Sequence, residues 1–159
     1  MQLITTNKLT LTKMKKEDLP FVNSTRNLDS TKLWLENNET IDLESTYKWF
    51  QISNPNWYII NVGSEKVGYV RTSDDTGKSL CIGCDIHPSH RRKGYAESSY
   101  KILINDLFEK GYVNIWLDVF DKNIPAINLY TKLGFVPINS RLVRGENYTT
   151  MVYNNYGNK

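Results

Sequence analysis

The stretch from His87 to Gly111, HPSHRRKGYAESSYKILINDLFEKG, runs three cations at positions 91–93 directly into Gly94 and then into a helix-like pattern. Cations are stabilised at helix C-termini, because the N-terminus already carries the positive end of the helix dipole. Three cations at a helix start therefore cost electrostatic energy unless an anion binds there. The unpaired N–H groups of a helix N-terminus bind anions, and a glycine lets a phosphate approach the backbone. The sequence thus predicts an anion site at residues 91–94, the basic turn.

The residues after the basic turn predict a long amphipathic helix. Apolar residues recur at spacings of three and four, which places them on one helix face, and Gly111 is a typical C-terminal cap. That face consists of Ala96, Tyr100, Leu103, Ile104, Leu107 and Phe108. The runs GKSLCIGCDIHP before the helix and VNIWLDVF after it have strand character. A strand, a helix and a strand in succession indicate a parallel crossover within a mixed sheet.

The rest of the chain supplies further strands and helices around this unit. Alternation in LITTNKLTLTKM predicts the first strand, and NWYIINVG and EKVGYVRTSD predict a hairpin with a Gly-Ser turn. Helices are predicted for KKEDLPFVNSTRN, DSTKLWLENN, Asp42–Ser53 and IPAINLYTKLG, and closing strands for FVPINSRL and NYTTMVYN. The expected fold is α/β (α+β), with a mixed central sheet of about seven strands and helices on both faces. The element order is β-α-α-β-β-β-α-β-α-β-β.

Length and composition fit one soluble domain spanning residues 1–159. Of the 159 residues, 40% are hydrophobic and 23% are charged, which is typical of globular chains and not of disordered ones. The net charge of +3 is too small to predict nucleic-acid binding, which needs a basic stripe. Apolar runs stay below the ~20 residues of a membrane span, and the N-terminal segment lacks the apolar core of a signal peptide. We therefore expect a cytoplasmic protein with no membrane partner.

The two cysteines, Cys81 and Cys84, form a C-x-x-C pair with His87 and His90 close behind. Zinc or redox chemistry uses such pairs, but a zinc site needs ligands that converge on one point. These cysteines fall in a predicted strand, where side chains three apart point to opposite faces. We therefore favour two packed thiols and predict no metal site.

The basic turn and a second motif downstream resemble the acetyl-CoA site of the GCN5-related N-acetyltransferase (GNAT) family. The family's loop pattern Q/R-x-x-G-x-G/A is matched by residues 91–96, after an apolar-x-Pro step at residues 86–88. A Walker loop and the G-x-G-x-x-G of dinucleotide folds are both absent from the sequence. Further on, LDVFDKNIPAINLYTKLGF supplies the family's second motif at Asn123, Ala126, Tyr130, Gly134 and Phe135. Two ordered motifs with matching secondary structure argue against a chance match.

The resemblance implies acetyl-CoA as the acetyl donor and assigns the residues that would bind it. In the family, the strand before the loop splays away from its neighbour, and its backbone N–H groups hold the pantetheine arm and the acetyl carbonyl. The loop itself binds the pyrophosphate. The residues so assigned are Asp85, Ile86, Arg91, Arg92, Lys93, Gly94, Tyr95, Ala96, Asn123 and Tyr130.

Two side chains are candidates for the proton transfers of the reaction. Acetyl transfer needs a neutral amine, donors for the carbonyl oxygen as it gains charge, and a proton for the leaving thiolate. Tyr130 resembles the family's general acid, since a phenol with a pKa near ~10 stays protonated at pH 7. Asp118 lies where ribosomal-protein N-acetyltransferases carry a glutamate that receives the amine proton. Asp118 is the predicted base, with Asp85 as the alternative and a purely structural role for Asp118 left open.

The acceptor side would be built by the N-terminal helices and the last hairpin. An Arg-Asn pair at residues 26–27, a tryptophan, an Asn-Asn turn and an acidic helix resemble acetyltransferases that modify 4-amino sugars on nucleotide carriers. Aromatic rings stack on sugar faces, amides bind hydroxyls, and arginines pair with phosphates. The predicted substrate-binding residues are Arg26, Asn27, Trp34 and Arg144, with Arg141 as a further phosphate partner.

The predicted function is an acetyl-CoA-dependent N-acetyltransferase for a primary amine of a small molecule, with a nucleotide-linked 4-amino sugar as the leading acceptor. Two alternatives stay open, namely a protein N-terminal acetyltransferase of the ribosomal-protein type and a non-catalytic acetyl-CoA-binding sensor. Intact Asn123 and Tyr130 argue against the sensor. The lack of a strongly acidic acceptor cleft in the sequence argues against basic ribosomal tails as acceptors. Exposed strand edges leave the oligomeric state open between monomer and homodimer.

Overall fold

The structure is a computed structural model that describes residues 2–4 and 8–153. Its framework is one mixed sheet, in which eight strands from these residues lie in the order β1-β2-β3-β4-β5-β6-β8-β7. All neighbouring pairs are antiparallel except β5 and β6, which run parallel. The strands are β1 (Gln2–Ile4), β2 (Leu9–Lys13), β3 (Tyr58–Val62), β4 (Glu65–Asp74), β5 (Ser79–Ile86), β6 (Asn114–Phe120), β7 (Phe135–Val143) and β8 (Glu146–Tyr153).

Helices cover both faces of the sheet, as predicted. They are α1 (Leu19–Arg26), α2 (Asp29–Lys32), α3 (Leu43–Ser53), α4 (Tyr95–Glu109) and α5 (Ile124–Leu133). Helices α4 and α5 pack on one face, against the larger hydrophobic core, and α1 and α3 pack on the other. Within the described part of the chain, no helix is both long and apolar enough to cross a lipid bilayer.

Two predicted elements differ from the structure. The first predicted strand is a pair, β1 and β2, and the turn before β2 includes Lys8 with a φ of 68°. A left-handed lysine is uncommon, and the predicted alternation continued through it, although Asn7 directly before it is of a residue type that favours turns. The sheet of the described residues has eight strands, in agreement with the prediction of about seven. The helix predicted from Asp29 ends at Lys32, so that Trp34 lies in a turn.

The ends of the longer helices follow local signals in the sequence. Gly111 has a φ of 95°, and the Tyr112 N–H donates to the Leu107 carbonyl at 3.1 Å, which closes α4 with a Schellman motif. The Asp42 carboxylate accepts from the Ser45 N–H at 2.7 Å and caps α3. These boundaries were predictable because each depends on one or two neighbouring residues.

The parallel pair at the centre of the sheet is short. Strands β5 and β6 are paired only between residues 79–81 and residues 114–116. Beyond this segment β5 continues along β4 as far as Ile86, while β6 continues along β8 as far as Phe120. The two strands therefore diverge, and a gap opens between them at the C-terminal end of β5.

Strand β4 approaches the end of β5 closely beside this gap. Gly68 pairs with Ile86, and a Cβ on Gly68 would lie 2.5 Å from the Asp85 carbonyl oxygen and 3.0 Å from the Ile86 Cα. Backbone atoms cannot move aside as the end of a flexible side chain can. Glycine at this position therefore permits a close approach of the two backbones.

We expect Gly68→Ala to lower the free energy of unfolding by about 1–3 kcal/mol, because the added methyl group overpacks a backbone contact. Urea denaturation followed by circular dichroism measures the change. Ser73→Ala serves as the control, since Ser73 is an exposed residue of the same strand and its loss should cost less than about 0.5 kcal/mol. Wild-type stability of Gly68→Ala would contradict the close approach of β4 and β5.

Candidate active site

The basic turn lies between the end of β5 and the start of α4. Residues 88–90 form a 3-10 turn, and Gly94 is the N-terminal cap of α4. Arg92 and Gly94 have φ values of 63° and 80°, so two left-handed residues bend the backbone in front of the helix. A left-handed arginine is strained, and such strain clusters at ligand sites. A Cβ on Gly94 would meet no atom within 4 Å, so the space before the helix N-terminus is open.

The three cations of the basic turn differ in their surroundings. The Arg91 guanidinium donates to the Ile86 carbonyl at 3.1 Å and to the Thr31 hydroxyl at 3.3 Å. Arg91 therefore ties the turn to the end of β5 and to α2. Arg92 and Lys93 are exposed, and neither forms an ion pair with another described residue. Their charges are available to an anion.

The last residues of β5 present main-chain donors to the gap. The His87 N–H donates to the Val67 carbonyl on β4 at 2.8 Å. Main-chain groups of successive strand residues point to alternate sides, so the N–H groups of Ile86 and Cys84 point away from β4 and toward the gap. The main-chain N–H and carbonyl groups of Asp85 point toward β4. Of the two donors predicted from sequence, Asp85 and Ile86, the geometry favours Ile86, with Cys84 as a second donor.

A cavity of about 520 Å³ lies on the face of the sheet opposite the main packing of α4. Its floor consists of alternate residues of the central strands, because strand side chains alternate between faces. These are Tyr69, Arg71 and Ser73 of β4, Cys81, Gly83 and Asp85 of β5, Trp116 and Asp118 of β6, and Tyr148 of β8. Helices α1 and α3 and residues 34–37 form the wall above this floor.

All four tryptophans of the sequence line this cavity. Trp34 lies in the turn after α2, Trp49 on α3, Trp57 before β3 and Trp116 on β6. The rings of Trp49 and Trp57 have centroids 4.7 Å apart, and Trp57 stacks on Tyr69 at 5.8 Å. Trp34 was the one of these four that we predicted to bind substrate. The aromatic lining suits a ligand with an apolar ring face.

Tyr130 reaches the cavity from the opposite side of the sheet. It lies on α5 and packs edge-on against Tyr100 and Phe135, yet it lines the cavity, because β5 and β6 have diverged at this level. Its hydroxyl is 3.3 Å from the Tyr100 hydroxyl. Burial raises the pKa of Tyr130 to about 12. The phenol is therefore protonated at neutral pH and can donate a proton.

The two candidate bases, Asp118 and Asp85, both line the cavity but differ in their partners. Asp118 accepts from the Thr150 hydroxyl, and its other oxygen is 3.6 Å from the Arg141 guanidinium. Asp85 faces Arg71, whose Nε and Nη2 are 3.1 Å and 3.5 Å from its two oxygens. Both oxygens of Asp85 thus face one guanidinium, whereas the oxygens of Asp118 face two different groups. The assignment of Asp118 as the base stays a prediction.

The arginines predicted to bind the acceptor hold the cavity wall together. Arg26 lines the cavity, but its guanidinium donates to the carbonyls of residues 37 and 39 at 2.9 Å and 2.6 Å. Arg144 lies outside the lining and donates to the carbonyls of residues 35 and 36. Arg141 pairs with the Glu36 carboxylate at 2.6 Å. These contacts give the three arginines a structural role, and their predicted phosphate contacts stay predictions.

Asn27, the remaining residue predicted to bind the acceptor, also has a structural role. Its side-chain amide donates to the Ile41 carbonyl at 2.7 Å and accepts from the Ile41 N–H at 3.0 Å. Both ends of the amide are thus used to fix the segment before α3. Asn27 lies outside the lining of the cavity, whereas Trp34 belongs to it.

The C-x-x-C thiols point to opposite faces of β5. Cys81 lines the cavity, and Cys84 packs against the hydrophobic core under α4. Burial raises the pKa of Cys81 to about 12, so this thiol stays protonated at neutral pH. Both cysteines are free, and the described residues contain no group of three or more His, Cys, Asp or Glu placed to hold a metal ion.

Arg71 is a charged residue of the cavity floor that the sequence did not lead us to single out. Two signals for it were present, namely an arginine directly after the apolar run of β4 and a Gly-x-Asp step on β5. In the antiparallel register Arg71 pairs with Gly83, which also brings Asp85 within reach. A hairpin prediction carried to residue register would have found this ion pair.

This chain is similar to known proteins in sequence. The acetyltransferase (GNAT) family model matches residues 22–135. The ribosomal protein bS18-alanine N-acetyltransferase of Escherichia coli is 34% identical over 65 residues, which are 41% of this chain and 42% of that protein. The chain thus matches less than half the length of this curated relative.

Solved structures share the fold at low sequence identity. A spermidine N-acetyltransferase from Vibrio cholerae, in complex with CoA and spermine, has a TM-score of 0.81 at 21% identity, over 91% of this chain and 94% of that one. A Salmonella typhimurium acetyltransferase with acetyl-CoA has a TM-score of 0.73 at 19% identity, over 92% and 93%. These neighbours confirm the predicted fold. Since the family model covers more than half of the sequence, the chain belongs to the acetyltransferase (GNAT) family.

Proposed function

We propose that this protein is an acetyl-CoA-dependent N-acetyltransferase whose acceptor is a primary amine of a small molecule. The observation that carries the proposal is the gap between β5 and β6, through which Tyr130 of α5 lines an aromatic cavity on the other face. A donor in the gap and an acceptor in the cavity would meet beside the Tyr130 hydroxyl. Family membership supports the reaction class, and fold neighbours were solved with CoA or acetyl-CoA.

The donor side has the features that acetyl-CoA requires. The open space before Gly94 and the left-handed backbone at Arg92 suit the pyrophosphate, and Arg92 and Lys93 supply charge. The N–H groups of Ile86 and Cys84 face the gap and suit the pantetheine arm and the acetyl carbonyl. When bound, acetyl-CoA supplies an activated acetyl group. The other predicted contacts with it, which stay predictions, are Asp85, Arg91, Tyr95, Ala96 and Asn123.

Two side chains of this protein would move the protons. Tyr130 donates its proton to the leaving sulfur, and Asp118 accepts a proton from the amine, directly or through a water. The raised pKa of Tyr130, about 12, suits this role, because the phenol stays protonated well above neutral pH. The reaction moves one proton from the amine to Asp118 and one from Tyr130 to the sulfur. Proton exchange with solvent then removes the proton from Asp118 and returns one to Tyr130.

The cavity supports a sugar-like acceptor. Its volume of about 520 Å³ lies within the range of small-molecule sites, which is roughly 300–1,000 Å³. Tryptophan faces stack on the apolar faces of sugar rings, and carboxylates accept hydrogen bonds from hydroxyls. We therefore propose an amino sugar as the leading acceptor class.

The nucleotide carrier is the less supported part of the sequence-based hypothesis. Arg26, Arg141 and Arg144 were its expected phosphate partners, and their donors are engaged by main-chain carbonyls or by Glu36. A phosphate would have to displace these bonds. We therefore propose that the protein recognises the amino sugar part of the acceptor. A comparison of free and nucleotide-linked sugars decides whether the nucleotide is also recognised.

A protein N-terminus is the second candidate acceptor, and the charge of the cavity favours it. Four carboxylates, Glu36, Asp75, Asp85 and Asp118, line the cavity, although no acidic cluster stands out in the sequence. An acidic lining suits an ammonium group, and the matched relative is named as an alanine N-acetyltransferase of a ribosomal protein. Three of these carboxylates already face an arginine, which weakens the field they exert. We therefore rank this candidate second.

An acetyl-CoA turnover screen that detects the free thiol tests the acceptor class. We expect the highest kcat/KM for a 4-amino-4-deoxy sugar, free or nucleotide-linked. Alkyl amines and peptides that begin with alanine should be at least ~10-fold poorer, because they offer no ring to stack and fewer hydroxyls to pair. Peptides that surpass every sugar would establish the second candidate. Tight acetyl-CoA binding without turnover of any acceptor would support the sensor.

We expect Gly94→Val to weaken acetyl-CoA binding at least ~10-fold in calorimetry, because a branched side chain would occupy the space for the pyrophosphate. Gly77→Val is a matched control, since Gly77 has a φ of 78° and equally open surroundings but lies in the β4–β5 turn. Both variants carry the same backbone strain, so the control should lose stability and keep its affinity. Equal affinity of the two variants would remove the basic turn as the donor site.

Tyr130→Phe should keep acetyl-CoA affinity and lose about 10²–10⁴-fold in kcat, because it removes only the proton donor. Tyr112→Phe is the matched control, since the Tyr112 hydroxyl donates to the Asp74 carboxylate at 2.8 Å, near the other end of β5. The pKa of Tyr130 is raised to about 12, so its hydroxyl stays protonated in alkaline solution. Deprotonation of Tyr130 should therefore not lower the wild-type kcat below about pH 11. Wild-type kcat in a Tyr130→Phe enzyme of normal Tm would exclude the hydroxyl as the acid.

A further inference from the structure

Arg71 lies on the cavity floor and takes no part in the proton transfers proposed above. Its Nε and Nη2 face the two oxygens of Asp85 at 3.1 Å and 3.5 Å. No described residue forms a hydrogen bond with the Nη1 group on the other edge of the guanidinium. The Asp85 side chain is 10% exposed and the Arg71 side chain 36% exposed, so the ion pair is covered on the Asp85 side and open on the Arg71 side.

The orientation of this guanidinium is fixed by its neighbours. Arg71 pairs with Gly83 across the β4–β5 ladder, and a Cβ on Gly83 would lie 2.6 Å from the Arg71 Cζ. The guanidinium therefore lies flat on the Gly83 backbone, in space that any side chain would fill. Burial alone would lower the pKa of Arg71, but the Asp85 carboxylate and nearby tyrosines raise it above its ordinary value. The group is a permanently charged and well-oriented donor.

Arg71 is also close to the place where the reaction would occur. Arg71 lies on β4 and Tyr130 on α5. Both residues line the same cavity. An acceptor whose amine lies beside Tyr130 would therefore have its neighbouring atoms within reach of the free Arg71 edge.

We propose that the free edge of the Arg71 guanidinium donates hydrogen bonds to an oxygen next to the acceptor amine, and so selects amino alcohols, amino sugars among them, over plain alkyl amines. This inference rests on the proposed function and deepens it. Arg71 is a specificity-determining residue of the acceptor site, and Asp85 and Gly83 are the residues that position it.

The charges around Arg71 favour a neutral oxygen over an anionic group. Asp85 already balances the charge of Arg71. Glu36, Asp75 and Asp118 line the same cavity and would repel a phosphate or a carboxylate. A hydroxyl or ring oxygen accepts from Arg71 without that repulsion, and a hydroxyl can also donate to a carboxylate.

Two matched amines test this proposal, namely trans-2-aminocyclohexanol and cyclohexylamine, which differ by one hydroxyl beside the amine. The variants are Arg71→Lys, which keeps the charge without the planar fork, and the double variant Arg71→Met/Asp85→Asn, which leaves no unpaired buried charge. The control is the double variant Lys122→Met/Glu146→Gln, which removes a surface ion pair of 2.9 Å outside the cavity. We measure kcat/KM for both amines, and their Kd by tryptophan fluorescence with CoA bound.

In the wild type and the control, the amino alcohol should be favoured over the amine at least ~10-fold, as expected for a hydrogen bond to a charged group. Both Arg71 variants should bring this ratio close to 1, and Arg71→Lys, which leaves Asp85 in place, should keep the affinity for acetyl-CoA. An unchanged ratio in the Arg71 variants, or equal losses for the two amines, would overturn the proposal. The wild type could acetylate neither amine and still bind the amino alcohol more tightly than the amine. If the Arg71 variants then lose that difference in Kd, the role of Arg71 is supported and only the proposed function is contradicted.

Discussion

Strands β5 and β6 are hydrogen-bonded over three residues and then separate, one along β4 and the other along β8. Separation in the middle of a sheet is costly, because main-chain N–H groups lose their partners away from bulk water. Here the N–H groups of Ile86 and Cys84 face the gap. A bound acyl donor with carbonyl oxygens would satisfy them, so the feature that weakens the sheet suits the donor site that we propose. Tyr130 can line the opposite face only because of this gap.

The cavity depends on the gap in a second way. Its floor is one face of the strands beside the gap, and its wall comes from segments far apart in the sequence. Arg26 and Arg144 hold that wall by binding the main chain of residues 35–39. Arg91 links the basic turn to Thr31 of α2, which precedes the wall segment at residues 34–37. The basic turn is thus tied by a hydrogen bond to the helix next to the cavity wall, although the turn and the cavity are built from different elements.

The parts of this arrangement that depend on neighbouring residues were predictable from the sequence. The extent of α4, its end at Gly111 and the caps at Asp42 and Asn123 follow from periodicity and capping alone. The roles of the arginines were not predictable, because a guanidinium binds a phosphate and a main-chain carbonyl with the same donors. The convergence of four tryptophans and the Arg71–Asp85 pair depend on strand register and tertiary packing. Local patterns do not fix either of these.

The central claim is that the acyl donor enters the gap between β5 and β6 and meets the acceptor beside Tyr130. A crystal structure of the protein with CoA tests it most directly, through the distance between the CoA sulfur and the Tyr130 hydroxyl oxygen. We expect that distance to be about 3–4 Å, in the range of a hydrogen bond to sulfur, with the pantetheine arm accepting from the Ile86 or Cys84 N–H. A sulfur that lies outside the gap, more than about 6 Å from that oxygen, would contradict the account.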